Sequence, residues 1–377
     1  MSTSCADRLD WLATQPLPLA ENRVYRQWIG GAILDRLQGR PEPRDDHFPE
    51  EWVGSTTVSR LAGRPADEGL SRVMLPDGGT VFLRDLIRAF PEAMLGDAHV
   101  ARFGPELGVL CKILDSAMRL SIQAHPSSAF ARRHLGSEFG KTESWIILGT
   151  RAIDGVPPHI LYGFREGVSE AEFRRATREQ DVPALLAALN RIDVHPGQIY
   201  LVPAGTPHAL GPGVLLVEVQ EPTDFVVNAE AVCGEIRRTD SQCFMGLDLD
   251  LAMDCFDYAA AGSEFVRRHT LAPRLLRQDA DAVEEILIGP AQTPCFGAAR
   301  LTVRGTAPLH DKGRAHIGIV VGGRGRLTHA GGEIPLAPAS TLFVPAACRH
   351  AVYRASPGEP LVLLKCFPPV PCWQGPH

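Results

Sequence analysis

Gln123 and His125 stand two residues apart in the run LSIQAHP, and Glu143 opens a later apolar run, ESWIILG. On a strand, residues i and i+2 project to one face, so Gln123 and His125 point together if this run is extended. His208 follows a V-P-A turn in GQIYLVPAGTPHA. One amide, one carboxylate and two imidazoles from three segments make an N/O ligand set suited to Zn²⁺ or another divalent first-row ion. The set contains no thiolate, which favours a site with a position open to substrate over a closed structural clip. A single histidine on a strand is more often a polar group satisfied by the protein itself. The metal reading therefore requires a fold that brings all three segments to one place.

The rest of the chain is built to supply such a fold. Its 377 residues are enough for two or three domains, and 45% hydrophobic with 22% charged residues is ordinary for a globular protein. A net charge of −6 implies no general attraction to nucleic acid or to acidic membranes. No run is long and apolar enough to span a bilayer, and the first twenty residues lack the pattern of a secretory signal. Nine cysteines, an odd number without a C-x-x-C pair, suit reduced thiols and a cytoplasmic location. With 36 Gly and 31 Pro, turns are frequent and apolar runs short. PHILYGF, GQIYLVPAG, GVLLVEVQ, EEILIGP, HIGIVVGG and TLFVPAA read as strands. Helical spacing is confined to 79–95, 169–192 and 248–258, and Ser169 with Glu172 makes a capping box. Short strands with Gly/Pro turns predict a mainly β fold with attached helices.

An internal repeat refines this. HPGQIYLVPAGTPHA (195–209) aligns with LAPASTLFVPAACRHA (336–351), matching Pro203 with Pro345, Ala204 with Ala346, His208 with His350 and Ala209 with Ala351. A turn–strand–loop–His unit occurring twice predicts two related β-barrels in tandem. The expected division is an N-terminal barrel with helical insertions over 20–245, a helical connector over 246–264 and a C-terminal barrel over 265–370. VVGGRGRL (320–327) lacks a phosphate-loop motif and reads as a hairpin turn. The basic stretch FARRHLG (130–136) reads equally as a solvated loop or a phosphate-facing one.

The segment CKILDSAMRLSIQAHPSSAFARRHLGSEFGKTESWIILG, continued by IYLVPAGTPHALGPGVLLVEVQEPTDF, resembles the type I mannose-6-phosphate isomerases (phosphomannose isomerases) of the cupin superfamily. The resemblance covers most of residues 20–260, rests on Q-x-H-P, G-K-T-E and P-A-G-T-x-H-A in that order, and is weaker over the C-terminal barrel. It implies tandem cupin (jelly-roll) barrels and a zinc-dependent enzyme, one Zn²⁺ per chain, interconverting mannose 6-phosphate and fructose 6-phosphate. By motif, Gln123, His125, Glu143 and His208 would be the zinc ligands, and Lys141 of GKTE and Asp224 of EPTDF the active-site groups. Such a reaction moves a proton between adjacent carbons through an enediol, with the metal as Lewis acid and one side chain as base. Lys141 and Asp224 both suit that role, and the sequence leaves the choice open.

One position departs from the family: Asn228 stands where an arginine is associated with substrate phosphate or catalysis. Arg to Asn removes a permanent charge and a bidentate fork. Arg237 and Arg238 lie near enough in sequence to restore it, so Asn228, Arg237 and Arg238 are the candidate substrate-binding residues. The departure leaves two other readings open: an isomerase or epimerase of an unphosphorylated or modified sugar, and a sugar-binding cupin without turnover. His350 has no Q-x-H or G-K-T-E partner upstream, so the C-terminal barrel is expected to be metal-free. The expected partner is a small sugar or sugar phosphate, with no nucleic acid and no membrane, in a monomer or homodimer.

Overall fold

In the strand Val214–Gln220 every residue is buried, because both faces are covered. Leu215, Val217 and Val219 turn into a core shared with Ile317, Phe343 and Cys366, whereas Val214 and Leu216 turn towards Trp145, Tyr162 and Tyr200. A period of two with both faces apolar gives the unbroken hydrophobic runs of the sequence. The computed structural model describes residues 10–311 and 313–369.

This strand is the middle of a seven-stranded sheet ordered Thr270–Leu271, Ile199–Val202, Glu143–Thr150, Val214–Gln220, Leu110–Ser116, Glu50–Val53, Arg23–Val24. A five-stranded sheet, Leu189–Asp193, His159–Phe164, His208–Leu210, Gln123–Ala124, Val227–Asn228, closes the barrel around the Trp145–Tyr162 core. The C-terminal half repeats the plan with Leu17–Pro18, Thr341–Val344, His316–Gly322, Leu361–Phe367, Gly297–Val303, Ala282–Ile288 and Arg274–Gln278. Its smaller sheet runs Thr306–Pro308, Ala351–Ala355, Gly325–His329, Gly332–Leu336. The fold is mainly β, with two tandem cupin-like barrels whose large sheets pack back to back through the shared core. Among the described residues no helix is long and apolar enough to cross a membrane.

The edges cross over between the halves. Leu17 and Pro18 pair with Phe343 and Leu342, and Thr270 and Leu271 pair with Tyr200 and Ile199. The first residues of the expected C-terminal segment, 265–271, thus include an edge strand of the N-terminal sheet. Its expected end, residue 370, lies outside the described residues. The helical stretches are shorter than their spacing suggests. Thr80–Phe82 is a strand before the helix Leu83–Ala89, and Pro91 starts a new helix to Leu95. Glu170–Glu179 carries the predicted capping box, but Asp181 caps a second helix, Val182–Ala187, and Leu189–Asp193 pairs as a strand. In 248–258 only Leu249–Met253 is helical.

Register makes the two barrels comparable residue by residue. Val202 pairs with Glu143 and Val344 with His316, so His316 occupies the place of Glu143. His316 is fully buried, and neither ring nitrogen has a hydrogen bond. Burial pushes it down to about 4, despite Asp311 Oδ2 at 3.1 Å. Because the folded value lies below the usual 6.5, the unfolded chain takes up this proton first. The stability that His316 contributes is therefore complete above pH 6.5 and lost as pH falls towards 4. His316→Leu should flatten the dependence of unfolding free energy on pH in that window by about 1.4 kcal/mol per pH unit. Urea titrations between pH 7 and 4.5 measure it, and an unchanged slope would refute the assignment.

Candidate metal centre and cavity

Three segments meet where the sequence requires. Glu143 begins its strand, His208 begins another, and His208 pairs across the small sheet with Gln123. His125 Nε2 lies 3.1 Å from Glu143 Oε2, and His208 Nε2 lies 3.4 Å from Glu143 Oε1. His125, Glu143 and His208 are all buried and form a cluster that can hold a metal ion. Both imidazoles are oriented from behind: Nδ1 of His125 donates to Phe225 O at 2.8 Å and Nδ1 of His208 to Thr206 O at 2.9 Å. That fixes the tautomer and leaves both Nε2 lone pairs facing the carboxylate, as metal ligation demands. Gln123 Nε2 lies 3.2 Å from His208 Nε2, and a half-turn of the amide presents Oε1 at the same place. Lys141 Nζ sits 2.7 Å from both His125 Nε2 and Glu143 Oε2, so the cluster already accommodates a positive charge. These donors fit a divalent ion of the zinc type.

The electrostatics agree with a ligand set. Burial, then Lys141, holds His125 down to about 4 and therefore neutral. Burial likewise lowers His208. For Glu143 burial acts upward, but Lys141, His125 and His208 outweigh it and keep the carboxylate well below its usual range.

A cavity of about 680 Å³ opens beside the cluster. Lys141 lines it from a loop that one residue organises: Glu221 accepts from Gly140 N at 3.1 Å, Thr142 N at 2.8 Å and Ser128 Oγ at 3.0 Å. Gly140 is obligatory there, since a Cβ would come within 2.5 Å of Pro126 O and Ser128 N. Asp224 lines the cavity and lies between the Arg26 guanidinium, at 3.4 Å from each carboxylate oxygen, and the Arg60 backbone N. Burial acts upward on Asp224, but Arg26, Lys112 and Lys141 hold it below the usual carboxylate range. Asn228 and Arg238 also line the cavity. Arg237 does not: its exposed side chain donates to Gly234 O and Ile236 O. His134, at the end of the helix Ser128–His134, borders the cavity, so the basic stretch at 130–136 reaches it through this residue.

Four cavity residues have no signal in short motifs: Arg26, Glu50, Lys112 and Glu218. Arg26 Nε donates to Glu50 Oε2 at 2.8 Å, and Lys112 Nζ lies 2.9 Å from Glu218 Oε2. Trp52 Nε1 donates to Glu50, and Trp145 Nε1 donates to Glu143 and Glu218. The only available clue was a charged residue interrupting an apolar strand, as Glu218 does in VLLVEVQ.

Comparison with known proteins bears on the same region. Residues 28–138 match the family described as phosphomannose isomerase type I, catalytic domain. The mannose-6-phosphate isomerase ManA of Bacillus subtilis is 31% identical over 158 residues, 39% of this chain and 46% of that protein. The mannose-6-phosphate isomerase of Streptococcus mutans is 35% identical over 153 residues, 40% of this chain and 46% of that protein. Over these stretches the chain is similar to the type I phosphomannose isomerases. The aligned part spans about half the length of these curated relatives. The fold extends the likeness further. The mannose 6-phosphate isomerase structure from Bacillus subtilis superposes with a TM-score of 0.71 at 21% identity, covering 93% of this chain and 99% of that one. A variant of the Salmonella typhimurium phosphomannose isomerase gives 0.69 at 19% identity, covering 94% and 100%. Residues 293–364, in the C-terminal barrel, match a different description, AraC-like ligand binding domain.

Proposed function

We propose that this chain is a zinc-dependent aldose–ketose isomerase interconverting mannose 6-phosphate and fructose 6-phosphate through an enediol. The observation that carries the reading is the buried His125–Glu143–His208 cluster, with Gln123 beside it and Lys141 and Asp224 lining the same cavity. Bound by Gln123, His125, Glu143 and His208, zinc would supply Lewis-acid polarisation of the sugar carbonyl. The chain's own groups do the rest. Phe225 O and Thr206 O aim the two imidazoles, and burial favours their neutral form. Lys141, fixed by the loop on Glu221, is the group nearest the cluster that can exchange a proton with the substrate. Asp224, kept ionised by Arg26, is the second candidate to accept a proton from substrate.

The same reading assigns catalysis to the N-terminal barrel and leaves the C-terminal one without metal. Lys365 Nζ, 1% exposed, contacts Glu284 Oε1 at 2.9 Å and Asp311. An internal ammonium thus already neutralises the carboxylates nearest His316. The reduced, mostly buried thiols suit a cytoplasmic enzyme.

The test is NMR of fructose 6-phosphate with zinc-loaded protein, with and without excess EDTA. The expected result is conversion to mannose 6-phosphate that EDTA abolishes. Folded, zinc-bound protein that leaves the ketose unchanged would overturn the proposal.

A further inference from the structure

Three arginines and two lysines line the cavity: Arg26, Arg60, Arg238, Lys112 and Lys141. Three of these five are spent on carboxylates. Arg26 serves Glu50 and Asp224, Lys112 serves Glu218 and Lys141 serves Glu143. Arg60 and Arg238 have no carboxylate within ion-pair distance among the described residues. They differ in how they are held. Arg60 is exposed, with its guanidinium carbon 4.5 Å from the centre of the Phe225 ring. Arg238 is half-buried and directed inward: its backbone N donates to Ala231 O at 2.9 Å, and its Nη1 donates to Ser121 Oγ at 2.8 Å. The nearby Glu230 does not neutralise it, because that carboxylate grips Arg119 through two contacts of 2.6 Å and accepts from Ile122 N.

A guanidinium taken partly out of water without a counter-charge lowers its own affinity for the proton, and burial does lower that of Arg238. The folded protein thus carries a charge deficit in this wall that an anion would fill. The surrounding groups suit one. Asn228, fully within the wall, is the strand partner of Gln123 and offers a neutral amide. Ser121, which orients Arg238, precedes Gln123 by two residues, at most about 7 Å of chain. Arg238 is thus tied, through Ser121, to the same segment that carries Gln123 of the cluster.

We infer that Arg238 is the anion anchor of the cavity, holding the phosphate monoester of the substrate through its guanidinium fork, with Asn228 alongside. The inference rests on the isomerase reading for the identity of the sugar but not for the presence of an anion subsite. It makes residue 238, rather than Arg60 or the solvent-facing Arg237, the determinant of phosphorylated over neutral sugar.

Calorimetric titration of zinc-loaded protein with glucitol 6-phosphate, which cannot isomerise, and with glucitol tests it. Arg238→Met should weaken glucitol 6-phosphate binding by about 10- to 100-fold and leave glucitol binding unchanged. Arg238→Lys should fall between the two, because it keeps the charge and loses the fork. Arg60→Met should change affinity less than threefold. Asn228→Arg combined with Arg238→Met should recover affinity relative to Arg238→Met alone, which a merely structural role for Arg238 would not allow. Binding by Arg238→Met within threefold of wild type, or an equal loss in Arg60→Met, overturns the inference. Arg238-dependent binding by a wild-type protein that does not convert fructose 6-phosphate would sustain the anchor and refute the isomerase. Conversion with a KM indifferent to Arg238→Met would do the reverse.

Discussion

If the chain is the zinc isomerase proposed above, Glu143→Gln should lower its turnover by at least about 10³-fold and leave the dialysed protein without stoichiometric zinc. The carboxylate is the one anion in the cluster and its geometric centre, with His125 Nε2 at 3.1 Å, His208 Nε2 at 3.4 Å and Trp145 Nε1 at 3.1 Å. Glutamine preserves the volume and one acceptor, so packing around the site survives. It removes the negative charge that offsets a divalent ion, and it leaves the Lys141 ammonium, 2.7 Å away, buried without its counter-ion. The loss therefore appears twice: in metal content, by elemental analysis after dialysis, and in conversion of fructose 6-phosphate followed by NMR. A variant with one zinc per chain and more than a tenth of wild-type turnover would remove Glu143 from the ligand set.

The cluster was legible because its pieces sit at strand starts. A ligand that opens a strand is placed by the turn before it, so Glu143 in ESWIILG and His208 after VPAGTP could be read from local sequence. The repeat was legible for the same reason, since V-P-A fixes a strand end and a turn in both barrels. What sequence could not supply was pairing across long separations. Arg26 reaches Asp224, 198 residues away, and Lys112 meets Glu218 only because Leu110–Ser116 and Val214–Gln220 are neighbours in register. The edge exchange of Leu17–Pro18 and Thr270–Leu271 belongs to the same class, because two-residue strands carry no periodicity to detect. Helices were over-read where apolar spacing continued through a break: Pro91 and Asp181 each begin a new helix inside a run that looked continuous. Arg237 and Arg238 were indistinguishable as neighbours in sequence. At the end of the two-residue strand Ile236–Arg237, the chain sends the first to solvent and the second to the cavity.

Lys112→Met destabilises the folded protein by about 3–5 kcal/mol, the cost of stranding a buried charge. Lys112 and Glu218 are cross-strand partners, each almost wholly buried, and the ammonium also lies 5.2 Å from the Trp52 ring. Burial acts against the Lys112 charge, yet Glu218 and Glu50 together raise its proton affinity above the usual lysine value. Without Lys112, Glu218 loses its ion-pair partner, and Glu50 keeps Arg26, which it shares with Asp224, as its one paired cation among the described residues. Adding Glu218→Gln removes one of the stranded charges, so the double variant should recover at least about 1 kcal/mol over Lys112→Met alone. Urea unfolding of the single and double variants measures both quantities. A loss below 1 kcal/mol for Lys112→Met would mean that water reaches the pair and that the charges are not buried in solution. The C-terminal barrel shows the same constraint solved in the other sense. Its register places Lys365 where Glu218 stands and Ala299 where Lys112 stands. The ammonium has moved across the ladder to meet Glu284, the counterpart of Glu50. In both barrels this part of the wall therefore keeps an ammonium among buried carboxylates, although the strand that supplies it differs. Both barrels thus carry matched charge at this position, and among the described residues only the N-terminal one pairs it with a cluster that can hold a metal.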